Sequence, residues 1–116
     1  MSKFGTHLQA KASLTSTGSG SIVIFASVAN TKWHLTKGQV TVYGAGAGAW
    51  ISIYEVIDAS SAATLMNIPC VTNEMGYVGI DFGEHGYTAS QSGSRLNMAV
   101  EGANASVNGV FIGYRR

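Results

Sequence analysis

A single cysteine, Cys70, stands in the chain, so no internal disulfide can staple the fold. Small secreted domains more often carry one. Charge is scarcer still: Asp, Glu, Lys and Arg make up 11% of the 116 residues, against about 25% in an average soluble domain. The net charge of +1 argues against a global attraction to nucleic acid or to an acidic membrane. Long hydrophobic runs are also missing, and no window approaches the ~20 apolar residues of a membrane span. Met1-Ser2-Lys3-Phe4 leads into polar residues, without the apolar run of a signal peptide or the glycine of a myristoylation site. The expectation is a protein made and kept in a cytosol, or one that assembles there. The last absence is helical periodicity, which no stretch shows convincingly.

What the sequence does contain is period-two alternation. Hydrophobic residues are 46% of the chain, enough for one core in a domain of this length. Leu8, Ala10, Ala12 and Leu14 alternate with polar partners, and a Gly/Ser-rich break follows from Thr15 to Ser21. Residues 1–20 therefore read as an N-terminal arm or edge strand, and residues 21–116 as a single β-sandwich domain. Ser21 to Ala29 is continuous enough in apolar residues to predict a strand buried on both faces. Trp33 and Leu35 share a face, Lys37-Gly38 predicts a bend or bulge, and Val40 and Val42 resume the pattern.

Gly44 to Ala49 cannot pack large side chains and predicts a loop. In the strand Trp50 to Ile57, Ile51 and Ile53 face away from Trp50, Ser52, Tyr54 and Val56. Asp58 to Ala63 predicts a loop or one helical turn. Pro69, the only proline, removes a ladder donor from Thr64 to Val71 and marks that strand as an edge. Tyr77 to Phe82 and Leu96 to Val100 predict two more strands, with a polar, exposed stretch from Tyr87 to Ser94 between them. The last strand runs from Ala105 towards Tyr114, with a phase shift expected at Asn108-Gly109. About seven or eight short strands with glycine-bearing turns predict an all-β, antiparallel β-sandwich or a small barrel.

Motifs that would carry chemistry are weak. Gly44, Gly46 and Gly48 superficially suit a phosphate-cradling loop, but the β-rich Trp50-Ile51-Ser52-Ile53 follows where a helix N-terminus is needed. Asp81, Glu84 and His85 are carboxylate and imidazole donors close in sequence, yet read as solvated turn residues. His7, His34 and His85 are present with many serines, but Ser19 between Gly18 and Gly20 lacks the strand-to-helix context of a nucleophile elbow. Cys70 has no base that the sequence places beside it. Asn104-Ala105-Ser106 fits a glycosylation sequon that would go unused without export. Trp33, Trp50, Tyr43, Tyr54, Tyr77 and Tyr87 would either form a sugar-stacking platform or pack a core and a subunit contact. No catalytic, cofactor-binding or metal-binding residues are assigned, no cofactor is expected, and the chain reads as a non-enzyme.

A scarcity of charge leaves the exterior to small neutral side chains, which gives little colloidal protection. Such a surface fits one that neighbouring protein covers. Lys3, Lys11, Lys32 and Lys37 precede Glu55, whereas all six acids lie between Glu55 and Glu101 with only Arg95 among the bases there. That polarity would suit one edge of a subunit meeting the opposite edge of another, or it is a scatter of loop charges.

Trp33-His34-Leu35-Thr36 with Val40-Thr41-Val42, then Trp50-Ile51-Ser52-Ile53-Tyr54-Glu55, resemble successive strands of small tailed-phage structural proteins. The end resembles them most: Ser94 to Val100, Gly102 to Val107, and the closing Gly113-Tyr114-Arg115-Arg116. The resemblance spans residues 31–116 and is one of rhythm. It implies a jelly-roll-like sandwich of the capsid decoration, or cement, proteins, a homo-oligomer with a trimer favoured, bound to the major capsid protein on the virion exterior after assembly in the host cytoplasm. Neither nucleic acid nor membrane is an expected partner. The alternative from a different class is a carbohydrate- or receptor-binding β-sandwich module, with Trp50, Tyr54 or Tyr87 stacking on sugar rings.

Overall fold

The computed structural model describes residues 5–16, 19–58 and 60–116. Among these residues the chain forms nine strands and no helix. They are β1 (Thr6–Ser16), β2 (Ser19–Phe25), β3 (Trp33–Tyr43), β4 (Trp50–Asp58), β5 (Ser61–Pro69), β6 (Gly76–Asp81), β7 (Tyr87–Thr88), β8 (Arg95–Glu101) and β9 (Ala105–Arg115). One sheet has the order β1-β9-β3-β6, with the two-residue β7 also on β3, and the other has β2-β8-β4-β5. All pairings are antiparallel.

The pairs β1 with β9, β2 with β8, β3 with β6 and β4 with β5 are nested like the two arms of one long hairpin rolled upon itself. That nesting is the jelly roll, so the expected jelly-roll-like sandwich is the observed fold. Strand β7, outside these four pairs, continues the track of β6 along β3 after the turn at 82–86.

Period-two patterning builds both inner faces. Ala12 from β1, Leu35, Val40 and Val42 from β3, Ile51 and Ile53 from β4, Leu96, Met98 and Val100 from β8, and Val107 and Phe111 from β9 are buried together. Each large side chain so enclosed contributes about 1.5–3 kcal/mol relative to exposure. β1 pairs with β9 from Thr6 to Ser16, as the edge strand of its own sheet. Pro69 is the last residue of β5, at the edge of the other sheet, where a missing donor is tolerated.

Four local expectations are corrected. β2 is an edge strand and is not buried on both faces: a register shift between Val23 and Phe25 turns Ile24 and Phe25 inward, and leaves Val23 exposed. The bulge expected at Lys37-Gly38 lies one residue earlier, between Leu35 and Lys37, where the Thr36 hydroxyl donates to the Ile112 carbonyl at 2.8 Å. Within Tyr87–Ser94, Ala89 and Ser94 are buried.

The last correction matters most. β9 keeps unbroken register through Asn108-Gly109 against both β1 and β3. Gly109 faces inward because the Phe111 ring covers it: a Cβ there would meet Phe111 Cε2 at 2.5 Å, and one on Gly38 would meet Phe111 Cδ1 at 2.9 Å. Two glycines on neighbouring strands thus make room for one ring. Since the phase holds, Val110 and Ile112 point outward.

Candidate functional site

The register defines what each sheet presents to its surroundings. On the outer face of β1-β9-β3-β6, cross-strand rows run His7, Tyr114, His34 and Thr88; Gln9, Ile112, Lys37 and Asp81; Lys11, Val110, Gln39 and Gly79; and Ser13, Asn108, Thr41 and Tyr77. Tyr43, Tyr77, Val110 and Ile112 are 41%, 62%, 36% and 37% exposed there, so four large side chains share one face with the charges of Lys11, Lys37 and Asp81. A depression of about 430 Å³ lies over Gly79, bordered by Lys37, Gln39, Tyr77, Asp81, Val110 and Ile112. Its floor exists because Gly79 has no side chain, and a Cβ there would meet nothing nearer than the Tyr77 hydroxyl at 4.0 Å.

The outer face of β2-β8-β4-β5 is different. Trp50 and Tyr54 are half-buried at either side of Ser52, and the rows place Asn97 beside Tyr54 and Ala99 beside Ser52. Ser52, Asn97 and Ala99 are buried although alternation points them outward. Asn97 Oδ1 is enclosed with no hydrogen-bond partner among the described residues.

The six aromatic residues singled out in the sequence do not form one platform. Trp33 is wholly buried, tilted against Phe25 with centroids 6.2 Å apart and stacked on Tyr87 at 6.3 Å. Tyr87 in turn meets Phe82 at 5.8 Å, which removes it from a sugar-stacking role. Tyr43 and Tyr77 belong to one outer face, Trp50 and Tyr54 to the other.

Nor do the chemical candidates converge. Asp81 is exposed at the end of β6 and accepts from the Gly83 amide at 2.8 Å. Glu84 and His85 are exposed in the following turn, and the His85 carbonyl accepts from the Tyr114 hydroxyl at 2.9 Å. Among the described residues no three His, Cys, Asp or Glu side chains gather as a metal site would require. His7 lies on β1, opposite Tyr114. His34 Nδ1 bonds Thr88 Oγ1 at 2.9 Å, and burial, with Arg116 and Lys32 nearby, lowers its pKa below the ordinary imidazole value. Gly18 lies outside the described residues, and so does the side chain of Ser19.

Cys70 is half-buried, its thiol 3.8 Å from the Ile68 carbonyl, and burial pushes its pKa up, opposite to what a nucleophile needs. The Gly44–Ala49 loop leads into β4 and not into a helix. It is tied to the neighbouring loops, with Gly46 N donating to Asn104 O at 2.8 Å and Asn73 N to Ala45 O at 2.9 Å. Asn104 of the sequon donates through Nδ2 to the Gly44 carbonyl at 3.4 Å.

One buried group escaped attention in the sequence. Glu55 is fully enclosed; its Oε2 accepts from Ser90 N at 2.8 Å and from Ser90 Oγ at 2.9 Å, while Oε1 has no partner among the described residues. The signal was present, since alternation puts Glu55 on the same side of β4 as Ile51 and Ile53. It pins the 89–94 segment across one end of the sandwich.

The chain matches no family model and no curated protein sequence.

Proposed function

We propose that this chain is a non-catalytic virion structural protein, a decoration or cement protein that binds the major capsid protein on the exterior of a phage head as a homo-oligomer. The observation that carries the reading is the outer face of β1-β9-β3-β6, where Tyr43, Tyr77, Val110 and Ile112 stand exposed together. Clustered exposed apolar residues on a small domain mark a surface that another protein covers. The rhythm of residues 31–116 directs that general reading to phage heads. The mechanism is mass action: a protein that binds only the assembled shell stabilises it by RT ln(1 + [L]/Kd) per site. Particles purified by density gradient are the test. They are expected to carry this chain at a fixed ratio to the capsid protein, and its absence from them overturns the proposal.

A second reading is supported by a separate observation. Tyr54 is the cross-strand partner of Asn97, whose Oδ1 is buried and unpartnered among the described residues, and Trp50 lies further along the same outer face, a combination of rings and a polar atom suited to stacking and hydrogen bonding with a sugar. Trp33 is fully enclosed, so a fluorescence change on titration with glycans reports on Trp50. Saturable quenching supports a carbohydrate-binding module; no change across a glycan array removes it.

A further inference from the structure

We infer that the outer face of β1-β9-β3-β6 is the contact between copies of this chain, with β1 of one copy lying along β6 of the next so that Lys11 reaches Asp81. This names the self-contact within the assembly reading above, and its biological meaning rests on that reading.

Rotating one copy onto another about an axis along the strands stacks the two faces and sets the β1 column over the β6 column and β9 over β3. Gln9 then stands over Asp81, Lys11 over Gly79, and Ser13 over Tyr77. In the last two rows a long side chain meets a small one, which is what two interdigitating surfaces require. Stacked twisted sheets turn by roughly 30° and blur these rows without exchanging the columns.

The depression over Gly79 supplies the shape. Its walls are Tyr77, Val110 and Ile112, and its rim carries Asp81 with its cross-strand partner Lys37. Lys11 is exposed on β1. Its alkyl stem fits the apolar walls while its ammonium ends at the carboxylate, the usual way a lysine is partly buried. A like-charged meeting of these columns is avoided, because the β1 column carries Lys11 and the β6 column carries Asp81.

Area is also sufficient. Four strands at ~4.8 Å spacing and up to eleven residues at ~3.3 Å give roughly 600–700 Å² per copy, close to the ~800 Å² per partner of a standard protein interface. Because the stacked faces engage both columns of each copy at once, the contact is isologous and closes as a two-fold pair.

Light scattering on the purified full chain tests this, with Trp33 fluorescence verifying that each variant is folded. The wild type is expected at a multiple of 12.1 kDa. Lys11→Glu and Asp81→Lys singly each weaken association about tenfold or more, and the double exchange restores it. Gly79→Gln, which fills the depression where the backbone leaves open space, dissociates the assembly. A wild type that remains at 12.1 kDa, or charge reversals without effect or without mutual rescue, overturns the inference. A monomer that still travels with phage particles defeats this inference alone. An oligomer absent from particles defeats the proposed function alone.

Discussion

The imidazole of His34 lies flat on the phenol of Tyr114, with ring centroids 4.2 Å apart and planes 7° from parallel. The two residues are direct partners on β3 and β9. Through His34 Nδ1 to Thr88 and Tyr114 Oη to the His85 carbonyl, the stack ties both strands to β7 and to the turn before it.

This stack makes stability depend on pH. Burial, then Arg116 and Lys32, lower the folded-state pKa of His34, whereas the unfolded imidazole titrates near ~6.5. Between those two values the unfolded chain binds more protons, so the contribution is fully present above pH ~6.5 and is lost as pH falls towards the folded pKa. Urea midpoints are expected to fall on acidification from about pH 7 to pH 5, and His34→Phe, which keeps a ring on Tyr114 but cannot titrate, is expected to flatten that slope. An unchanged slope in the variant contradicts the assignment.

Gly109 and Gly79 face opposite sides of the same sheet and respond differently to the same change. Gly109→Ala forces a Cβ to 2.5 Å from the Phe111 ring, and is expected to cost about 1–3 kcal/mol of unfolding free energy. At Gly79 the added methyl has room, so Gly79→Ala is expected to stay within about 0.5 kcal/mol of the wild type or to stabilise slightly. Equal effects in denaturant titration contradict the packing described.

Much of this fold was legible before any coordinates. Leu8 to Leu14, Trp50 to Val56 and Leu96 to Val100 alternate with little interruption because each strand has one face in the core, and Pro69 marked its edge. Alternation failed where a glycine takes an inward position on behalf of another side chain. Gly109 reads as a gap in the pattern, although Phe111 fills that gap, so the outward placement of Val110 and Ile112 could not be read from β9 alone. The continuous apolar run of β2 misled for a related reason, since a bulge can turn adjacent residues the same way. The candidate face combines four strands distant in sequence, and only the nested pairing brings Lys11, Val110, Gln39 and Gly79 into one row.

Glu55 and Ser90 form the lock at one end of the sandwich. Ser90→Ala removes one of two hydrogen bonds to the buried carboxylate and is expected to cost about 1.5–3 kcal/mol. Glu55→Ala removes the one acceptor of both bonds and leaves a cavity, so its cost is expected to exceed that of Ser90→Ala. Amide exchange at Ser90 should accelerate in the glutamate variant before exchange in β4 does. Simultaneous loss of protection in both places contradicts a local lock.

Cys70 is expected to react slowly. Burial raises the pKa of its thiol, so little thiolate is present at neutral pH. Alkylation is expected to proceed much more slowly in the folded protein than in denaturant, and equal rates contradict the half-buried placement.

On the proposed reading, protein covers the face carrying Tyr43 and Tyr77. Hydroxyl-radical footprinting read by mass spectrometry tests it directly, by comparing the wild type with the Asp81→Lys variant at one concentration. Tyr43 and Tyr77 are expected to be protected in the wild type and labelled in the variant, while Tyr54 on the opposite sheet reacts alike in both. Tyrosines 43 and 77 labelled equally in the two proteins would contradict the account.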